Sequence, residues 1–121
     1  MNNDIKDSAS HYQLIIWDVA QTLQYPSERI STKPYKKAGL DPDLIEWIAD
    51  HQNIKHAIIS NYPQHYIDEL LQQAQITDLF VYASGFDAQS RRKPHLDQYK
   101  TMPANLKNIA KHNQLMVGDL P

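Results

Sequence analysis

The sequence holds no cysteine and only three glycines, Gly39, Gly85 and Gly118, in 121 residues. Without cysteine there can be neither disulfides nor thiolate metal sites, which accords with a reducing, cytoplasmic setting. Three scattered glycines cannot build a glycine-rich phosphate loop. No apolar run approaches the roughly 20 residues of a membrane-spanning helix. The polar stretch Met1 to Ser10 lacks the apolar region of a secretory signal. Neither sign of charge dominates: 12 Lys+Arg against 14 Asp+Glu give a net −2. The basic residues are scattered apart from Arg91-Arg92-Lys93, so neither nucleic acid nor a membrane is an expected partner. What is present is ordinary for one globular domain with one core, 41% apolar and 21% charged.

The clearest element is Leu14-Ile15-Ile16-Trp17, an unbroken apolar run that ends in Asp18. A continuous run, unlike an alternating one, predicts a strand buried on both faces of a parallel sheet. Residues 1–12 read as a flexible tail, and residues 13–121 as a single domain. Gln24 to Leu40, with Pro26 and Pro34, reads as a loop, short β-flap or minimal cap. Asp41-Pro42 predicts a helix start, with Leu44, Ile45 and Ile48 on one face. His56 to Asn61 reads as a second strand. Pro63 then opens a helix striped by Tyr66, Ile67, Leu70, Leu71 and Ala74. Leu79 to Ala83 reads as a third strand closed by Ser84-Gly85. Leu96, Tyr99, Leu106 and Ile109 mark helical turns broken near Pro103, and Leu115-Met116-Val117 reads as a fourth strand. This alternation predicts an α/β fold, a three-layer, Rossmann-like and mainly parallel sheet.

The chemistry stands at the strand ends. Strand one ends in Asp18, strand two in Ser60-Asn61 and strand four in Gly118-Asp119, while Lys93 lies in the loop before the last helical region. In a parallel sheet these ends share one edge, so the groups converge without sequence proximity. Asp18 and Asp119 suit a hard cation such as Mg²⁺. Ser60 and Lys93 suit phosphate oxygens, and Asp18 can attack phosphorus to form an aspartyl-phosphate.

Four segments in this order, Asp18-Val19-Ala20-Gln21-Thr22-Leu23, Ile59-Ser60-Asn61, Lys93-Pro94 and Val117-Gly118-Asp119, resemble the motifs of the haloacid dehalogenase superfamily. The resemblance spans Leu14 to Asp119. It implies a Mg²⁺-dependent hydrolase, most simply of phosphate monoesters, with little or no cap. It further implies Asp18 as nucleophile and metal ligand, the Ala20 carbonyl as a second ligand and Asp119 as metal anchor. Ser60 and Lys93 would act on the phosphoryl group, Asn61 would join them in binding substrate, and Thr22 would steady the turn after strand one. Capless members admit large substrates or work with a partner over the site, so a small phosphorylated substrate or a partner protein is expected.

Three departures from the family pattern bear on activity. Ala20 stands where the family's phosphatases carry the acid that protonates the leaving group and activates water. Gln21 replaces the usual glycine. The sequence stops two residues after Asp119, so the core lacks the family's last acid and last elements and leaves its fourth strand at a sheet edge. Truncation of a longer protein is the favoured expectation there, and a partner chain covering that edge is the other. Ala20 and the incomplete last motif also support an alternative, an impaired domain of this superfamily that binds a ligand or protein partner. The remaining residues get plainer readings. The six histidines show no ligand spacing and read as surface or helix-end residues. Trp47, Tyr66 and Tyr99 read as core or flap packing.

Overall fold

The computed structural model describes residues 11–20, 22–24, 31–86 and 102–118. Strand β1, Leu14–Trp17, is buried along its whole length, as a two-faced parallel strand must be. A single turn of helix, α1, spans Pro34–Lys37. Helix α2, Pro42–Asp50, starts as its sequence dictates, with the Asp41 carboxylate accepting from the Asp43 amide at 3.0 Å and Pro42 in the first turn. Strand β2 is Lys55–Pro63, helix α3 is Gln64–Ala74, and strand β3 is Tyr82–Phe86. A one-turn helix, α4, at Ala104–Lys107 and strand β4 at Gln114–Val117 complete the order.

The four strands form one parallel sheet in the order β3-β2-β1-β4. The chain builds outward from β1 through β2 to β3, then returns to the other side of β1 for β4. Apolar residues sort by face. Ile15, Trp17 and Val19 join Leu44, Ile45 and Ile48 of α2 and Ile67, Leu70, Leu71 and Ala74 of α3 in the larger core. Leu14, Ile16, Ala57 and Ile59 meet Met102 and Leu106 on the opposite face. These are the three layers expected of the sequence.

Two expectations shift. The third strand lies at Tyr82–Phe86, not Leu79 to Ala83, because Thr77–Leu79 form a 3₁₀ turn that tucks Leu79 and Phe80 against the larger core. Ser84 therefore pairs with Ile59, and Gly85 lies within the strand instead of closing it. Gly85 suits that place because a Cβ there would lie 2.6 Å from the Tyr62 carbonyl oxygen. Part of the segment from Gln24 to Leu40, read as loop or flap, is helical at α1, and Leu40 is buried. The helix near Pro103 begins directly after that proline, while Leu96 and Tyr99 lie outside the described residues. So do residues 1–10 of the expected tail. Tyr12 packs against the larger core, and the Gln13 amide donates to Asn113 at 2.8 Å.

Candidate functional site

A sheet ordered 3-2-1-4 reverses direction between β1 and β4, and open α/β sheets bind ligands at the carboxyl ends of the strands flanking such a reversal. Asp18 is the residue that follows β1 at this point. Its amide donates to the Val117 carbonyl at 2.9 Å, which carries the β1–β4 pairing one step past Trp17. The Asp18 side chain is 7% exposed, and one carboxylate oxygen accepts from the Val19 amide at 2.8 Å. The main chain thus orients the acid before any ligand arrives.

Gly118 leaves β4 beside it with φ at +132°. A Cβ at this position would lie 2.4 Å from Asp18 Cβ and 2.9 Å from Thr22 Oγ1. Only a residue without a side chain lets β4 approach both, so Asp18, Thr22 and Gly118 form one packed group. Past Asp18 the chain folds back: the Val19 carbonyl accepts from the amides of Thr22 and Gln24, at 3.3 and 2.8 Å, and Ala20 bridges to Gln24. Ala20 sits at the head of this short loop.

On the other side of β1, Trp17 pairs with Ile58, so Ser60, two residues further along β2, lies next to the chain leaving β1. Ser60 is buried and its Oγ accepts from the Tyr62 amide at 3.1 Å. The register explains this local bond. Ile59 pairs with Ser84 and Pro63 with Phe86, so four steps along β2 face two along β3, and Ser60, Asn61 and Tyr62 fill the bulge. Gln64, just beyond, fastens the bulge to β3. Its amide nitrogen donates to the Ala83 carbonyl at 3.1 Å, and its oxygen accepts from the Gly85 amide at 2.7 Å.

Asp18, Ala20, Thr22, Ser60, Asn61 and Gly118 accordingly lie on the carboxyl-end side of the sheet, with Asp18 at its centre. Lys93 and Asp119 lie outside the described residues. Among the described residues no group of three or more His, Asp or Glu side chains is placed to hold a metal ion. No helix among them is long and apolar enough to cross a membrane.

Sequence reasoning missed two features. His56, read as a surface or helix-end residue, is 1% exposed. Its Nδ1 accepts from Trp17 Nε1–H at 3.0 Å and its Nε2–H donates to the His51 carbonyl at 2.9 Å, which sets one neutral tautomer. Burial first of all, and secondarily the nearby His51, hold its pKa below the ordinary 6.5, against the raising effect of the hydrogen bond to His51. His56 directly precedes the unbroken apolar run Ala57-Ile58-Ile59 of a buried strand, and that position was its only signal. Tyr66, read as core or flap packing, is 37% exposed; its hydroxyl accepts from Gln24 Nε2 at 2.9 Å and its ring lies 4.8 Å from that of Tyr62. Because Gln24 opens the flap segment, the flap half of that reading fits and the core half does not. Trp47 does pack against the larger core.

Residues 1–121 match a family model described as haloacid dehalogenase-like hydrolase. No curated protein and no solved structure matches the chain.

Proposed function

The chain belongs to the haloacid dehalogenase-like hydrolase family, and from that premise we propose that it hydrolyses phosphate monoesters through an aspartyl-phosphate on Asp18. The observation that carries this is the placing of Asp18: a buried carboxylate, oriented by main-chain bonds, at the reversal point of the sheet. An oxygen of Asp18 attacks phosphorus while the bond to the leaving oxygen breaks, and water then releases phosphate and restores the carboxylate. Ser60 and Asn61, in the bulge beside Asp18, and Lys93 contact the phosphoryl oxygens, and Thr22 holds the loop after β1.

Hydrolases of this family generally use Mg²⁺. The donors that Asp18, the Ala20 carbonyl and Asp119 would offer are all hard oxygens, as that ion requires. Asp119 directly follows Gly118, which is packed on Asp18, so the donor set fits. When bound, the ion would neutralise charge between the nucleophile and the phosphoryl group. A reducing, cytoplasmic setting belongs to the same proposal, and the lack of cysteine is compatible with it.

The test is release of 4-nitrophenol from its phosphate ester, with and without Mg²⁺, by the unaltered chain and by Asp18→Asn. Turnover that depends on Mg²⁺ and vanishes in Asp18→Asn is expected. Activity that survives Asp18→Asn rules the mechanism out. Ala20 favours a second reading, a domain that binds its ligand without turning it over, and clear turnover by the unaltered chain removes it.

A further inference from the structure

We propose, resting on that reading, that the substrate is an aryl phosphate whose ring lies against the Tyr62–Tyr66 pair. Three large apolar side chains are well exposed among the described residues: Tyr66 at 37%, Met116 at 47% and Val81 at 53%. Val81 precedes β3 at the opposite, amino-terminal end of the sheet, and Met116 lies within edge strand β4. Tyr66 alone stands at the carboxyl-end edge, where Asp18 is.

Its position is fixed from both sides of the site. Tyr62 belongs to the bulge that holds Ser60, and its amide donates to Ser60 Oγ. Gln24, bonded to the Tyr66 hydroxyl, closes the loop that starts at Asp18 and bridges back to Ala20. The two rings lie 4.8 Å apart, tilted by 49°, and Tyr62 rests on the larger core behind. An exposed ring held by a hydrogen bond and a neighbouring ring has little rotamer freedom left to lose when a ligand covers it. Flat ligands gain most from such a surface.

Ala20 points the same way on separate grounds. A methyl group cannot deliver a proton to a departing oxygen, so position 20 favours a leaving group that is stable as an anion. An aryl oxide, the anion of a phenol with pKa about 10, meets that condition far better than an alkoxide. An Asp18 oxygen bonds to phosphorus as the bond from phosphorus to the aryl oxygen breaks. The electron pair leaves on the aryl oxide, which takes its proton from solvent. Water then attacks phosphorus, the bond to Asp18 breaks, and the proton of that water passes to the released phosphate.

Two non-hydrolysable probes of like size, benzylphosphonate and cyclohexylmethylphosphonate, separate ring recognition from chemistry. Their affinities are measured calorimetrically in Mg²⁺ for the unaltered chain and for Tyr66→Leu, Tyr66→Phe and Tyr62→Leu. The unaltered chain is expected to prefer the benzyl probe about fivefold, the scale of one aromatic contact. Tyr66→Leu should bring the ratio to about one, and Tyr66→Phe should keep most of it. Equal binding of the two probes, binding of neither, or a preference that survives both leucine variants overturns the proposal. Turnover reports separately on the nucleophile: hydrolysis that survives Asp18→Asn defeats the reading of Asp18, while the ring preference still stands or falls on Tyr66.

Discussion

A methyl group decides two positions within the candidate site, one by its presence and one by its absence. At Ala20 it occupies the place from which an acid would serve the leaving group. Ala20→Asp is therefore expected to raise kcat on an alkyl phosphate by about 10²-fold or more, the usual worth of a positioned acid/base. The same change should act much less on 4-nitrophenyl phosphate, whose leaving group needs no proton. Equal gains on both substrates would show that the new carboxylate works in some other way. At Gly118 the methyl is what cannot be added. A Cβ there would meet Asp18 and Thr22 at 2.4 and 2.9 Å, on a residue whose φ of +132° already disfavours a side chain. Asp18 has no room to retreat, since its amide is bonded to Val117. Gly118→Ala should cost about 2–4 kcal/mol by urea unfolding. Gly39→Ala is the control: φ is +84° but nothing lies within 4 Å, so backbone strain alone should cost about 1–2 kcal/mol. Equal losses in the two variants would show that close approach to Asp18 is not what Gly118 provides.

Whole elements follow local rules closely enough for one of their exceptions to be useful. Helix α3 ends on Gln75, whose φ of 58° and ψ of 41° put a non-glycine residue in the left-handed region, while the Ile76 amide caps the Leu71 carbonyl at 3.0 Å. Glycine is the usual residue there because it has no Cβ to clash. Gln75→Gly should accordingly stabilise the fold by about 0.5–1 kcal/mol, read as a higher urea midpoint at unchanged slope. A loss would mean that the Gln75 side chain makes up for its strained backbone. The same local rules made much of the fold readable in advance. The unbroken apolar run of β1, the Asp41-Pro42 start of α2 and the stripe of α3 each answer to a short-range physical cause. The third strand slipped because Leu79 and Phe80 are apolar for the sake of the core beneath the sheet, and composition does not separate that from pairing within it. Gly85 looked like a terminator, although the Tyr62 carbonyl, some twenty residues away in the chain, is what excludes a side chain there. The bulge at Ser60 to Tyr62 was equally hidden, since it follows from the register against β3. Of the candidate site, Asp18 just past β1 was legible, and so was Ser60 in the carboxyl-terminal half of β2, although that strand runs on to Pro63 and does not end at Ser60-Asn61. The Tyr62–Tyr66–Gln24 contact was not, because Gln24 reaches the tyrosine pair from 42 positions away in the chain.

Across the molecule, the strand that carries Asp18 is tied to a buried histidine. Trp17, directly before Asp18 and fully buried, donates its indole N–H to His56 of the neighbouring strand. Around them Trp47 sets its ring edge-on to Trp17 at 6.2 Å and stacks on His51 at 4.1 Å. Protonating His56 would add a proton to Nδ1, which faces the indole N–H, and would bury a charge against these rings. The cost appears as a pKa held below 6.5 in the folded chain, by burial first and by the nearby His51 second. When unfolded, His56 titrates near 6.5 and binds its proton more readily than when folded. Its contribution to stability is therefore complete above that value. It is lost as pH falls through 6.5 towards the lower folded pKa, and levels off below it. Urea unfolding of the unaltered chain between pH 7.5 and 5 should show this loss. His56→Gln should be less stable at pH 7.5, because it loses a fitted hydrogen-bonded ring, and should show a shallower fall across the same interval. A fall of equal steepness in the two proteins would show that other groups set the acid limb, and that the Trp17–His56 bond does not couple the fold to pH.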